Sequence, residues 1–189
     1  DGVICRDPRT GAPTGLLLER SAHQVWNSAP EPGPAERRAH VVAALKNFRA
    51  HGFDEVHDLL AQPWLGPLLA SLHDSGELTA GIVLYVPLAD LDVAARTAAA
   101  WQRPDVRLAG AKVFADGTLN SRTAWMLEPY RDPMPGMPRG KPLLTTDHIA
   151  EAIARCRRLG LELAAHAIGD GAVRACLDAA ERAGGGLRI

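Results

Sequence analysis

The chain has 189 residues, 47% of them hydrophobic, with 21 basic and 22 acidic residues for a formal net charge of −1. That is enough apolar material for one sizeable core, and the mixed charge offers no basic stripe to neutralise phosphates, which argues against a nucleic-acid partner. The longest nearly apolar run, Gly81 to Ala89, is broken by Pro87 and falls well short of the roughly 20 residues that span a bilayer, and the first residues lack the regions of a signal peptide.

Pro30, Pro32 and Pro34 punctuate the chain, and a helix follows in which Val41, Leu45 and Phe48 repeat at helical spacing before Gly52. A short strand, Phe53 to Asp58, comes next. The next helix carries Leu65, Leu68, Leu69 and Leu72 on one face, with Gly76 past its end. Leu78 to Val86 reads as a strand closed by Pro87, and the alanine-rich stretch Leu88 to Gln102 as a helix stopped before Pro104.

Arg107 to Ala115 is the third strand. A long loop from Asp116 to Pro142, rich in proline and glycine, follows; ordering such a loop costs entropy, so it points to function. Thr145 or Thr146 caps a helix to Arg158 that Gly160 closes. Leu161 to Ala167 is the fourth strand, Asp170 caps a helix to about Ala183, and three glycines lead into Leu187-Arg188-Ile189, the opening of another strand.

Strand and helix alternate from Phe53 onward, with strands that read as continuous apolar runs, as in a sheet covered on both faces. Alternation alone fits both a closed barrel and an open doubly wound sheet. The chain starts at Asp1 rather than Met and ends inside a strand, so it is read as a piece cut at both ends.

Two residues stand at strand ends, where parallel α/β folds keep their sites. Lys112 lies late in the third strand, where a buried cation costs several kcal/mol unless paired. His166 ends the fourth, and a neutral imidazole there suits a divalent metal. Taken singly, each has a bland alternative: a structural histidine, and a lysine that reaches solvent or a carboxylate. Cys156 and Cys176 sit at core positions of helices and no C-x-x-C pair exists, which suits a reducing cytoplasm. His23, His40, His51, His73 and His148 fall on helices or turns and are read as solvated.

The segment from Lys112 to Ala124, K-V-F-A-D-G-T-L-N-S-R-T-A, resembles the K-x-F-x-D-G-x-L-x-S-R-T-A motif of the YtcJ-like amidohydrolases, the amidohydrolase 3 family. His166 to Val173, H-A-I-G-D-G-A-V, is similar to that family's H-A-I-G-D-x-A-V. Asp7 through Leu17 and Val56-His57-Asp58 agree more loosely. The resemblance implies a partial (β/α)8 TIM-type barrel: about four βα units over 53–189, after an N-terminal segment, 1–52, with a family-like strand and helices. It implies hydrolysis of a C–N bond in a small linear or cyclic amide, outside peptides, with one or two divalent metals, commonly zinc. His166 would be a metal ligand from the fifth barrel strand. Lys112 would be the fourth-strand ligand, which in related enzymes CO2 can carboxylate. The metal would generate hydroxide and polarise the amide carbonyl.

The departures from the family pattern are as informative. No H-x-H pair occurs, the second histidine expected after a strand like Leu187-Arg188-Ile189 is absent, and so is the aspartate of the eighth strand. A catalytic zinc site needs three protein ligands, so no catalytic set is complete in this chain, and the isolated 189 residues are expected to be inactive. Asp116 and Arg122 are candidates to orient substrate or hold the long loop; His57, Asp58 and Asp170 are candidates to support the ligands from behind. The rival reading is a non-catalytic barrel remnant serving as a binding or assembly module. Half a barrel leaves free strand edges, so self-association is expected.

Overall fold

The structure is a computed structural model that describes residues 2–189; Asp1, where the chain begins, lies outside them. Contacts divide the chain into two units after Arg37. In the first, β1 (Gly2–Arg6) pairs antiparallel with β2 (Pro13–Glu19), and α1 (Arg20–Trp26) follows. Asp7 shapes the connecting turn by accepting from the N–H groups of Thr10 and Arg9, at 2.9 and 2.8 Å. Those two backbone bonds, Thr10's first, hold its carboxyl below the usual aspartate value.

The second unit begins within α2 (Pro34–Ala50). It continues through β3 (Glu55–Asp58), α3 (Leu65–Asp74), β4 (Gly81–Pro87), α4 (Leu91–Trp101), β5 (Val106–Phe114), α5 (Thr146–Arg158), β6 (Glu162–His166), α6 (Asp170–Ala183) and β7 (Leu187–Arg188). The five strands pair in chain order, all parallel. Each parallel neighbour is reached through a helix, as parallel pairing requires.

Element ends differ from the sequence reading where backbone groups are used otherwise. Leu78 does not open β4, because its N–H and that of Glu77 both donate to the Leu72 carbonyl and close α3. Leu88–Asp90 forms one 3₁₀ turn before α4. Thr145 does cap α5, accepting from the His148 N–H.

One face of the sheet carries the helices. Ile82, Leu84, Val86 and Leu108 pack with Leu45 of α2, Leu69 and Leu72 of α3, and Trp101 of α4. Ala111, Val113, Leu163 and Ala165 pack with Ile149, Ile153 and Cys156 of α5 and Ala172 and Cys176 of α6. Fully burying a side chain such as Ile153 contributes about 2–3 kcal/mol. Among the described residues, the other, inner face has only a small apolar cluster of Val83, Tyr85 and Ala164. β4 is buried through five consecutive residues and β6 through three, but α2 to α6 all pack against the one face, so the sheet is not covered by helices on both faces as the apolar runs suggested. The sheet curls about its inner face, since Arg188 Nη1 of β7 lies 2.6 Å from His57 Nδ1 of β3, the opposite edge. Among the described residues no helix is long and apolar enough to cross a membrane.

Candidate functional site

Lys112 and His166 come from adjacent parallel strands. Lys112 is in register with Ala164, and Phe114 with His166, so all four share the inner face. A bulge puts Lys112 there. Leu84 pairs with Leu108, but Tyr85 pairs with Gly110, leaving Ala109 as an extra residue. Leu108 packs under the helices; strict alternation from it would have carried Lys112 to that same covered face. Ala109 reverses the phase, and Gly110 permits it, because a Cβ there would lie 1.9 Å from the Glu162 carbonyl oxygen.

The Lys112 ammonium has no carboxylate partner among the described residues; it lies 5.3 Å from the centre of the Phe114 ring. Burial first, and then the positive charge of Arg188, lower its pKa. His166 Nε2 is 2.8 Å from the Gly117 carbonyl oxygen. A carbonyl only accepts, so Nε2 carries the proton and Nδ1 keeps its lone pair. The Phe114 ring stands 5.4 Å from the imidazole.

Asp116 organises the backbone around this histidine. It is 1% exposed. Its Oδ1 accepts from the Ile168 N–H at 3.0 Å, and its Oδ2 from Gly169 and Trp125 N–H groups, each at 2.8 Å. Every one of these donors is backbone, from the long loop or from the β6–α6 turn. The junction is tight: a Cβ on Gly169 would lie 1.9 Å from the Trp125 carbonyl oxygen, and that oxygen accepts from the Gly171 N–H. Asp170 is not the N-cap of α6. Gly169 holds that position, and Asp170 instead accepts from Gly171 N–H at 2.9 Å and, across to the loop, Leu127 N–H at 2.7 Å. The side chain reaches the loop because it leaves from the first helical turn rather than the residue before it.

Arg122 adopts a left-handed backbone, φ 55°, and its guanidinium pairs with Asp132 further along the loop. That hydrogen-bonded pairing raises the Arg122 pKa and lowers that of Asp132. Ser121 bridges the hydroxyls of Thr118 and Thr123 at 2.8 and 2.6 Å. The 116–142 segment is therefore an ordered loop braced by its own side chains.

His57 and Asp58 are placed apart from each other. His57 faces inward and is fully engaged: Nε2 donates to Glu55 Oε1 at 2.9 Å, Nδ1 accepts from Arg188, and the ring stacks on Tyr85 at 24°. Asp58 is in register with Leu84 of the helix-covered face and accepts from the Leu60 N–H at 2.9 Å, closing β3. Neither bonds to Lys112 or His166. Sequence reasoning overlooked Tyr85, Glu162 and Arg188, which share the inner face. Tyr85 donates to Glu162 at 3.2 Å, and Arg188 lies 5.8 Å over the Tyr85 ring.

These residues fit part of a divalent-metal site. Burial favours the neutral Lys112 amine, the form that can react with CO2 or donate a lone pair, and His166 offers Nδ1. Among the described residues no group of three His, Cys, Asp or Glu is placed to hold a metal. Two donors fall short of the three that a catalytic zinc takes.

A family model described as "Amidohydrolase family" matches residues 1–187. The chain is 29% identical to the "Putative amidohydrolase YtcJ" of Bacillus subtilis (strain 168), over 96% of this chain and 34% of that protein. Two solved structures, each described as an uncharacterized metal-dependent hydrolase, are 26% identical: that from Pyrococcus furiosus superposes with a TM-score of 0.74 and that from Pyrococcus horikoshii OT3 with 0.75. The alignments cover 95% and 96% of this chain and 38% of either structure. The chain thus spans little more than a third of the length of these relatives, and its curled parallel sheet is a half-barrel of the kind found in a partial TIM-like fold.

Proposed function

The chain belongs to the amidohydrolase family, and from that premise we propose that it is part of a metal-dependent hydrolase cleaving a C–N bond in a small, non-peptide amide. The observation that carries this reading is the placement of Lys112 and His166 on the inner face of adjacent strands. His166 would hold a divalent metal, zinc by the family's habit, through Nδ1, and Lys112 would hold it through its amine or a carboxylated form. When bound, such a metal supplies an activated water and polarises the substrate carbonyl. The chain's own contribution is positional: Gly117 orients the imidazole, Phe114 packs beside both donors, and Asp116 ties the long loop to the turn after His166. The remaining donors and the base would come from outside the 189 residues.

The test is to read the gene on either side of this segment and express the chain it encodes. Bound divalent metal and amide hydrolysis are expected, both lost on His166→Ala. A metal-free protein, or turnover unaffected by His166→Ala, would sink the reading. A second reading, a half-barrel acting as a binding or assembly module, draws support from the shortage of donors. It applies if the 189 residues act alone. In that case the single-sided edges β3 and β7 would pair with further copies, and sedimentation should shift with concentration; a monomer at all concentrations would count against it.

A further inference from the structure

We infer that Asp116 is a positioning residue that fixes the proton of His166 on Nε2 and so reserves Nδ1 as the free ring nitrogen. Its consequence for metal binding rests on the function proposed above, but the proton placement does not. Asp116 grips both sides of the histidine. Downstream, its oxygens hold the N–H groups of Ile168 and Gly169, two and three residues after His166. On the loop side it holds Trp125 N–H, while its neighbour Gly117 presents the carbonyl that His166 Nε2 meets at 2.8 Å. The carboxylate oxygen nearest the ring, Oδ1, is 4.0 Å from Nε2, too far to take the proton itself. The acceptor is therefore the backbone carbonyl, and Asp116 acts through it.

The acidic side chain is suited to this because it has no donor of its own. Three N–H groups converge on two oxygens, an arrangement that an amide could not match without turning its NH₂ toward a donor. Fixing a ligand's ring by the hydrogen bond on its other nitrogen is the general means by which proteins set which nitrogen binds metal. Here the fixing group is separated from His166 by 50 residues of sequence, and the Asp116 carboxylate is what brings the two segments into register.

Asp170 supplies a control. It also joins the loop to the β6–α6 turn, through Leu127 and Gly171 N–H groups, but touches neither Gly117 nor the residues flanking His166. The experiment is ¹⁵N NMR of the metal-free chain with labelled histidine at mildly alkaline pH, His166 being assigned by its loss in His166→Gln. The wild-type ring should be protonated on Nε2, with that proton slow to exchange. Asp116→Asn should speed its exchange roughly tenfold or more, the scale of one buried hydrogen bond, and erode the Nε2–H preference. Asp170→Asn should leave both within about twofold. Should Asp116→Asn fail to fold, Asp116→Glu, which displaces the oxygens by one methylene, is read the same way. A wild-type ring protonated on Nδ1, an unprotected Nε2 proton, no change in the Asp116 variant, or an equal loss in Asp170→Asn would each overturn the assignment. Because no metal is present, these outcomes stand whether or not the longer protein proves to be a metal enzyme.

Discussion

The two sides of the sheet are held by different means. Around β5 and β6, Ile149, Ile153, Cys156, Leu163 and Cys176 are entirely buried, and a carboxylate at 1% exposure ties the loop to the turn. Around β3, no strand residue is fully buried, Phe53 and Leu60 expose 54% and 44% of their surface, and α2 buries Leu45 alone. The candidate ligands sit on the first side. A half-barrel can keep the geometry of one strand pair because most of that geometry is local: backbone bonds, close glycine contacts and two covering helices. The β3 side buries fewer side chains, and its outer edge pairs with no strand among the described residues.

The largest effect should come from Gly169→Ala. The new Cβ would sit 1.9 Å from the Trp125 carbonyl oxygen, a backbone atom that cannot swing aside. Either the loop lifts off, orphaning the acceptors of Asp116 and Trp125, or the turn opens. A loss of about 4 kcal/mol is expected, at the upper end for single substitutions, read as a lower urea midpoint. A loss under about 1 kcal/mol would show that the junction is looser than its contacts imply.

Paired cavity variants test the two sides directly. Ile153→Ala removes a side chain at 0% exposure between α5 and the sheet and should cost about 3 kcal/mol. Val56→Ala, on half-buried β3, should cost about 1 kcal/mol. Equal losses in chemical denaturation would erase the proposed difference.

The sequence made the alternation of elements legible because each helix has its own apolar stripe and each strand its own run. Lys112 and His166 were legible through their motifs, which are contiguous in sequence. What could not be read were facts that depend on register. Tyr85 and Arg188 share a face with His166 only through pairing across strands, and the extra residue Ala109 inverts the alternation on which a forecast for Tyr85 would rest. The part played by Asp116 was equally hidden, since the Ile168 and Gly169 donors lie 52 and 53 residues away. Asp170 looked like a cap because its type and place suit one; its side chain also serves the loop, which no local pattern encodes.

The last of these effects is a pH dependence on the β5–β6 side. Cys176 of α6 is 0% exposed, and burial, reinforced by the negative charge of Asp116, pushes its thiol from 9.0 up to about 11. The folded chain therefore resists forming the thiolate more than the unfolded chain does. The stability this provides is fully present below pH 9.0, is lost as pH rises from there toward about 11, and changes no further above it. A loss of about 1–2 kcal/mol is expected over that window, discounted because the opened chain retains some burial. Cys176→Ala replaces the thiol with a side chain that does not titrate. Its urea midpoint should start lower than the wild type's at neutral pH, from the small cavity, and then hold steadier as pH rises, so that the two curves converge. Parallel pH curves for wild type and Cys176→Ala would mean that the helix-covered side admits water to the thiol, and the tight half of the sheet would then be no tighter there than the β3 edge.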